Sequence, residues 1–105
     1  MAWTYLVVAG LFEIGWPVGL KMAQQASTRL AGLSVAAFFI VASGTLLWLA
    51  QRQIPMGTAY AVWTGIGAAG TFLVGVLAYG DAMSMVRCAG VGLIVAGVMM
   101  LKLSH

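Results

Sequence analysis

Acid is scarce in this chain. Glu13 and Asp81 are the only carboxylate side chains among 105 residues, and charged residues of both signs make up 7%. A soluble domain of this size could not cover 63% hydrophobic residues with so few charges, which excludes water as the main solvent of its surface. The single cysteine, Cys88, cannot form an internal disulfide, and no His, Cys or carboxylate cluster with metal-ligand spacing accompanies it. The one histidine, His105, is the last residue and reads as solvated. No nucleophile and base stand in a usable arrangement, which argues against a soluble enzyme. The net charge of +3 is carried by scattered residues, not by the basic stripe that nucleic-acid binding needs.

What the chain does have is apolar length. Its mean hydropathy is +1.05, concentrated in Trp3–Leu20, Leu30–Leu49, Gly57–Tyr79 and Val86–Leu101. About 20 helical residues cross the ~30 Å hydrocarbon core of a bilayer. The expectation is therefore one four-helix transmembrane domain over residues 1–105, with helices at about 3–20, 30–49, 57–79 and 86–101. The loops are short, which makes successive helices antiparallel neighbours. Pro55 is placed to start the third helix. No Lys or Arg precedes the first stretch and no small-residue cleavage pattern follows it, so it reads as a retained helix and not a signal peptide.

The loop cations set topology weakly. Arg52 and Lys102 share one side of such a bundle, while Lys21, Arg29 and Arg87 share the other. Two against three barely decides an orientation. Either some other signal fixes it or both orientations are made, and the second case permits an antiparallel dimer.

Glu13 lies about halfway along the first apolar run. A carboxylate at that depth costs about 2.5 kcal/mol or more, and marks a functional site by default. Helical spacing puts Gly10, Glu13, Trp16, Pro17 and Leu20 on one stripe. On this reading Gly10 leaves space beside the acid and Trp16 offers an indole N–H. Trp3 and Trp48 suit interfacial belt positions, whereas Trp16 and Trp63 lie well inside their helices. Such deep tryptophans either pack in the core or serve the acid. Tyr60 and Trp63, at i and i+3, share a face with Gly67; facing a carboxylate, they make a box for a cation, and otherwise they pack. Ser43 is a lone hydroxyl deep in the second helix, where a serine usually bonds its own backbone. Gly90, Ile94 and Gly97 fall on one face of the fourth helix, open to a helix–helix contact within one chain or between two. Gly65-Ile66-Gly67-Ala68-Ala69-Gly70 matches a dinucleotide fingerprint by letter only, since no strand precedes it. No cofactor is expected.

These residues together resemble the small multidrug resistance transporters. The resemblance rests on the lone glutamate in the first helix and on Pro55-Met56-Gly57-Thr58-Ala59-Tyr60-Ala61-Val62-Trp63-Thr64-Gly65-Ile66-Gly67 in the third, and covers essentially the whole chain. Gly90-Val91-Gly92-Leu93-Ile94-Val95-Ala96-Gly97-Val98 is similar to that family's dimerising fourth helix. Within the family, Phe12-Glu13-Ile14-Gly15-Trp16 followed by Gly19-Leu20-Lys21 looks like the guanidinium-exporter subtype. The resemblance implies an all-α membrane protein with four transmembrane helices per chain. It implies a dual-topology, antiparallel homodimer in the bacterial inner membrane, exchanging guanidinium or related small cations for protons. By position Glu13 corresponds to the shared proton and substrate carboxylate, and Trp16, Ser43, Tyr60 and Trp63 to its hydrogen-bonding and lining partners. Gly90, Ile94 and Gly97 correspond to the dimer interface. Gly15 and Pro17 depart from the commoner aliphatic and alanine choices. Pro17 has no N–H to donate, which predicts a bend in helix one just below the site. Two other readings stand beside this one. A broad quaternary-ammonium exporter of the same family would favour an open aromatic site. A proton-carrying subunit of a larger membrane complex would leave Tyr60 and Trp63 without an obvious task.

Overall fold

The computed structural model describes residues 1–104, so His105 lies outside the described residues. Every regular element among the described residues is helical: α1 (Ala2–Glu13), α2 (Gly15–Met22), a 3-10 turn (Ala26–Thr28), α3 (Arg29–Ala50), α4 (Met56–Tyr79) and α5 (Met85–Ser104). Apolar runs of this length have no other good option in a bilayer, where each backbone N–H and C=O must find its partner within the segment. Four helical stretches are long and apolar enough to cross a membrane, with α1 and α2 together forming the first.

The first span is interrupted at Ile14. Proline lacks the N–H that a helix sends to the carbonyl four residues back, and for Pro17 that carbonyl belongs to Glu13. Around the gap the Ile14 amide donates to the Leu11 carbonyl at 3.2 Å, a tightened i→i−3 bond. The irregularity therefore falls beside the acid itself, one turn before the proline.

The helix ends are locally satisfied. Thr28 Oγ1 donates to the Met22 carbonyl at 2.6 Å and Arg29 Nε to the Ala23 carbonyl at 3.3 Å, occupying carbonyls that α2 leaves free at its end. The Arg87 amide donates to Ser84 Oγ at 3.2 Å, an N-terminal cap for α5. Gly80 closes α4 with φ 68°, the left-handed geometry that glycine adopts without penalty.

The first span is the centre of the bundle. α1 and α2 pack along α3, α1 also packs on α4, and α5 leans mainly on α4. Gly19 and Gly32 let α2 and α3 meet backbone to backbone: a Cβ on Gly19 would come within 2.6 Å of the Ala36 amide nitrogen, and one on Gly32 within 2.6 Å of the Gly19 carbonyl oxygen. The buried core is small and lies at the end of the bundle holding Trp3. Leu6, Ala50, Ile54, Ala59 and Val62 fill it, with Trp3, Leu47, Trp63 and Ile66 packed against them. α5 buries no residue at all.

Candidate functional site

The site forms where α1, α3 and α4 meet at mid-span. Glu13 ends α1 and is half-buried. Its side chain lies against Gly67 of α4, where an added Cβ would come within 2.5 Å of Glu13 Cγ. Any larger residue at Gly67 would push the carboxylate away. The space beside Gly10 is not open, as expected from the sequence, but filled by Ile66, whose Cβ would lie 2.7 Å from a Cβ at position 10. The glycine that makes room for the acid is thus across the interface, on α4.

Ser43 on α3 is completely buried. Its hydroxyl does not bond its own helix, the usual behaviour of a lone intramembrane serine. It donates to the Ala9 carbonyl of α1 at 2.7 Å and lies 3.5 Å from Glu13 Oε1. Trp63 of α4 donates its indole N–H to Ser43 Oγ at 2.8 Å. A serine hydroxyl has one proton and two acceptor lone pairs. Here it accepts from Trp63 and gives its proton to Ala9, with the carboxylate within reach. Three helices are tied at one hydroxyl.

Tyr60 stacks on Trp63 with ring centres 5.5 Å apart, tilted by 51°. Tyr60 is 57% exposed in the single chain, so this aromatic pair opens outward from the site. Trp16, one turn past Glu13 and half-buried, stands outside the Glu13–Ser43–Trp63 chain of contacts. The structure therefore brings Glu13, Ser43, Tyr60 and Trp63 together within one chain and leaves Trp16 outside their hydrogen bonds. The buried donor is Trp63, acting through Ser43. A groove of about 250 Å³ opens from Glu13 between Pro17, Thr64, Gly67, Ala68 and Thr71. Thr64 and Thr71 line that groove, although spacing alone did not single them out. Their spacing from Gly67, three residues before and four after, was the available signal.

Among the described residues no basic side chain pairs with the Glu13 carboxylate, and Ser43 is its one polar contact. Its oxygens keep acceptor capacity facing the groove. Gly90 and Gly97 lie far from this site on α5, where an added Cβ would meet nothing within 4 Å; Ile94 is 40% exposed and faces partly toward Gly65.

A bundle of four antiparallel spans with one carboxylate in its interior and open apolar faces is a multi-pass membrane protein with a single charge-bearing site at mid-depth. The chain belongs to the small multidrug resistance family: residues 1–94 match the family described as Small Multidrug Resistance protein. It is 46% identical over 104 residues to a protein of Yersinia pseudotuberculosis named guanidinium exporter, the match covering 99% of each chain. A guanidinium exporter of Citrobacter freundii is 45% identical over 99% of this chain and 98% of its own. One from Salmonella typhimurium strain LT2 is 42% identical over the same shares.

Proposed function

We propose that this protein exports guanidinium and small guanidinium-like cations in exchange for protons. The observation that carries the reading is the Glu13 carboxylate at mid-span, reached by Ser43 at 3.5 Å and otherwise open to a groove. Guanidinium is planar and offers parallel N–H donors that match a carboxylate's two oxygens. A proton and a cation cannot both occupy those oxygens. A carrier that reorients with one or the other bound, but not empty, exchanges them. The names of relatives matched along nearly the whole chain support guanidinium as the cargo.

The working unit in this reading is an antiparallel homodimer of dual topology in the bacterial inner membrane. Half-buried Glu13, exposed Tyr60 and the bare Gly90/Ile94/Gly97 face of α5 are surfaces that a second copy would cover, bringing two Glu13 side chains and Trp16 into one chamber. Glu13, Ser43, Tyr60, Trp63 and Trp16 bind the cargo, and Gly90, Ile94 and Gly97 join the protomers.

The test is transport by purified protein in proteoliposomes under a proton gradient, comparing guanidinium with a bulky quaternary ammonium. Proton-driven guanidinium flux that exceeds quaternary-ammonium flux supports the reading. The reverse order makes the protein a broad cation exporter, and no flux of either leaves the proton-carrying subunit.

A further inference from the structure

One end of the bundle carries Trp3, the end of α3 and the last turn of α5. Among the described residues its cationic side chains are Arg52 and Lys102, and each stands over a tryptophan. Lys102 Nζ lies 4.7 Å from the Trp3 ring centre, and Arg52 Cζ lies 4.9 Å from that of Trp48. No acidic side chain shares this end, because Glu13 lies at mid-span and Asp81 just past α4 at the other end. The two pairs differ in what lies beneath them. Trp48 is 60% exposed, and its pair sits on open surface. Beneath Lys102 a cleft of about 220 Å³ runs between α1, α4 and α5, walled by Trp3, Val7, Val62, Ile66 and Val98. Val98 lies one helical turn, about 5.4 Å, inward of Lys102, and Val7 one turn inward of Trp3. A cation at headgroup level thus caps a hydrocarbon slot that descends into the bilayer.

We propose that this cleft binds one anionic phospholipid, with its phosphate on the Lys102 ammonium and an acyl chain along Val7, Ile66 and Val98. The Trp3 ring holds the ammonium in place without consuming its three N–H donors. A zwitterionic choline lipid fits less well, because it brings its own cation beside Lys102. A second copy of the chain is the competing occupant. Lys102 lies roughly 140° around α5 from Gly97 at about 100° per residue, so a dimer joined through Gly90 and Gly97 leaves the cleft to lipid; this clause rests on the dimer reading. α5, which leans mainly on α4, gains through such a lipid a second tie to α1.

The experiment is native mass spectrometry of the purified protein released from micelles containing dioleoylphosphatidylglycerol or dioleoylphosphatidylcholine. The wild type should retain the glycerol lipid roughly fivefold more tightly, the effect of one basic residue on an anionic headgroup. Lys102→Gln should erase that preference, while Lys102→Arg and Arg52→Gln keep it. Val7→Trp, which fills the slot and leaves the charge, should lower retention of both lipids. A preference that survives Lys102→Gln, or that Arg52→Gln reduces equally, overturns the site. Cross-linking of two copies through Leu103→Cys in a Cys88→Ser background also overturns it, by placing a second chain in the cleft. These readouts do not depend on which cation is transported.

Discussion

Ser43 has one proton and two claimants for it. The Ala9 carbonyl, 2.7 Å away, is also the i−4 partner of the Glu13 amide in a regular helix, while Glu13 Oε1 waits at 3.5 Å. Removing the hydroxyl strands the Trp63 N–H in the interior, and a buried unsatisfied donor costs about 1–3 kcal/mol. Ser43→Ala should therefore lower the unfolding midpoint in detergent and weaken guanidinium binding together. In a double-mutant cycle with Trp63→Phe the two losses should not add, because both changes break the same contact. Glu13→Gln is a different kind of change. It keeps the shape but can neither titrate nor pair with a cation, so coupled uptake should fall to the level of empty liposomes while the protein stays folded. Wild-type rates in that variant would remove Glu13 from the mechanism. Because proton and cation compete for the same oxygens, guanidinium affinity should weaken at acid pH. Calorimetry giving an affinity that does not change on acidification would separate the two ligands. Trp16 makes none of the Glu13–Ser43–Trp63 hydrogen bonds, so on the dimer reading its importance depends on the second copy. Trp16→Phe, which keeps the packing of this half-buried ring but removes its N–H, should impair guanidinium transport while shifting the unfolding midpoint little.

At the scale of elements, hydropathy was enough to find the spans and the lone acid, because each is a departure from the average that no packing detail can hide. Contacts across helices were less legible. The stripe containing Gly10 and Glu13 was visible in helical spacing, yet spacing says nothing about which neighbour fills a gap. Ile66 fills the one at Gly10, and Gly67 supplies the one Glu13 uses. Ser43 looked like a self-bonding serine because its partners, Ala9 and Trp63, are 34 and 20 residues away. Which of them it meets depends on the depth and rotation of three helices at once. Pro17 foretold a disturbance, and elementary geometry places it at the carbonyl four residues earlier. The Gly19–Gly32 crossing gives a direct test of the α2–α3 contact. The atoms facing each glycine are backbone, which cannot rotate away, so Gly19→Val should destabilise the protein by about 1–3 kcal/mol or more. Gly44→Ala is the control, since a Cβ there meets nothing within 4 Å and alanine favours the helix. Thermal unfolding in detergent should separate the two clearly; equal effects would mean that α2 and α3 do not hold this close approach.

For the whole molecule, the distribution of charge matters more than its amount. The helices alternate in direction, so Arg52 and Lys102 lie at one end of the bundle and Lys21, Arg29 and Arg87 at the other. At one end Lys21 stands 5.8 Å from the Tyr79 ring, and at the other Arg52 and Lys102 cover Trp48 and Trp3. Both ends therefore carry cations braced on aromatics, and both suit a bilayer interface about equally. Insertion machinery that weighs Lys and Arg has a difference of one residue to act on. Both orientations should be populated, and an antiparallel pair then sets two Glu13 carboxylates in one chamber, each protomer covering the other's open groove. Adding two or three lysines to one terminus should fix a single orientation and abolish most guanidinium export. Co-expression with a copy biased the opposite way should restore it, because each supplies the half that the other lacks. Accessibility labelling of cysteines placed in the loops, in a Cys88→Ser background, reads the orientation directly. A wild type found in one orientation only would require the two carboxylates to meet in a parallel pair, or one carboxylate to work alone.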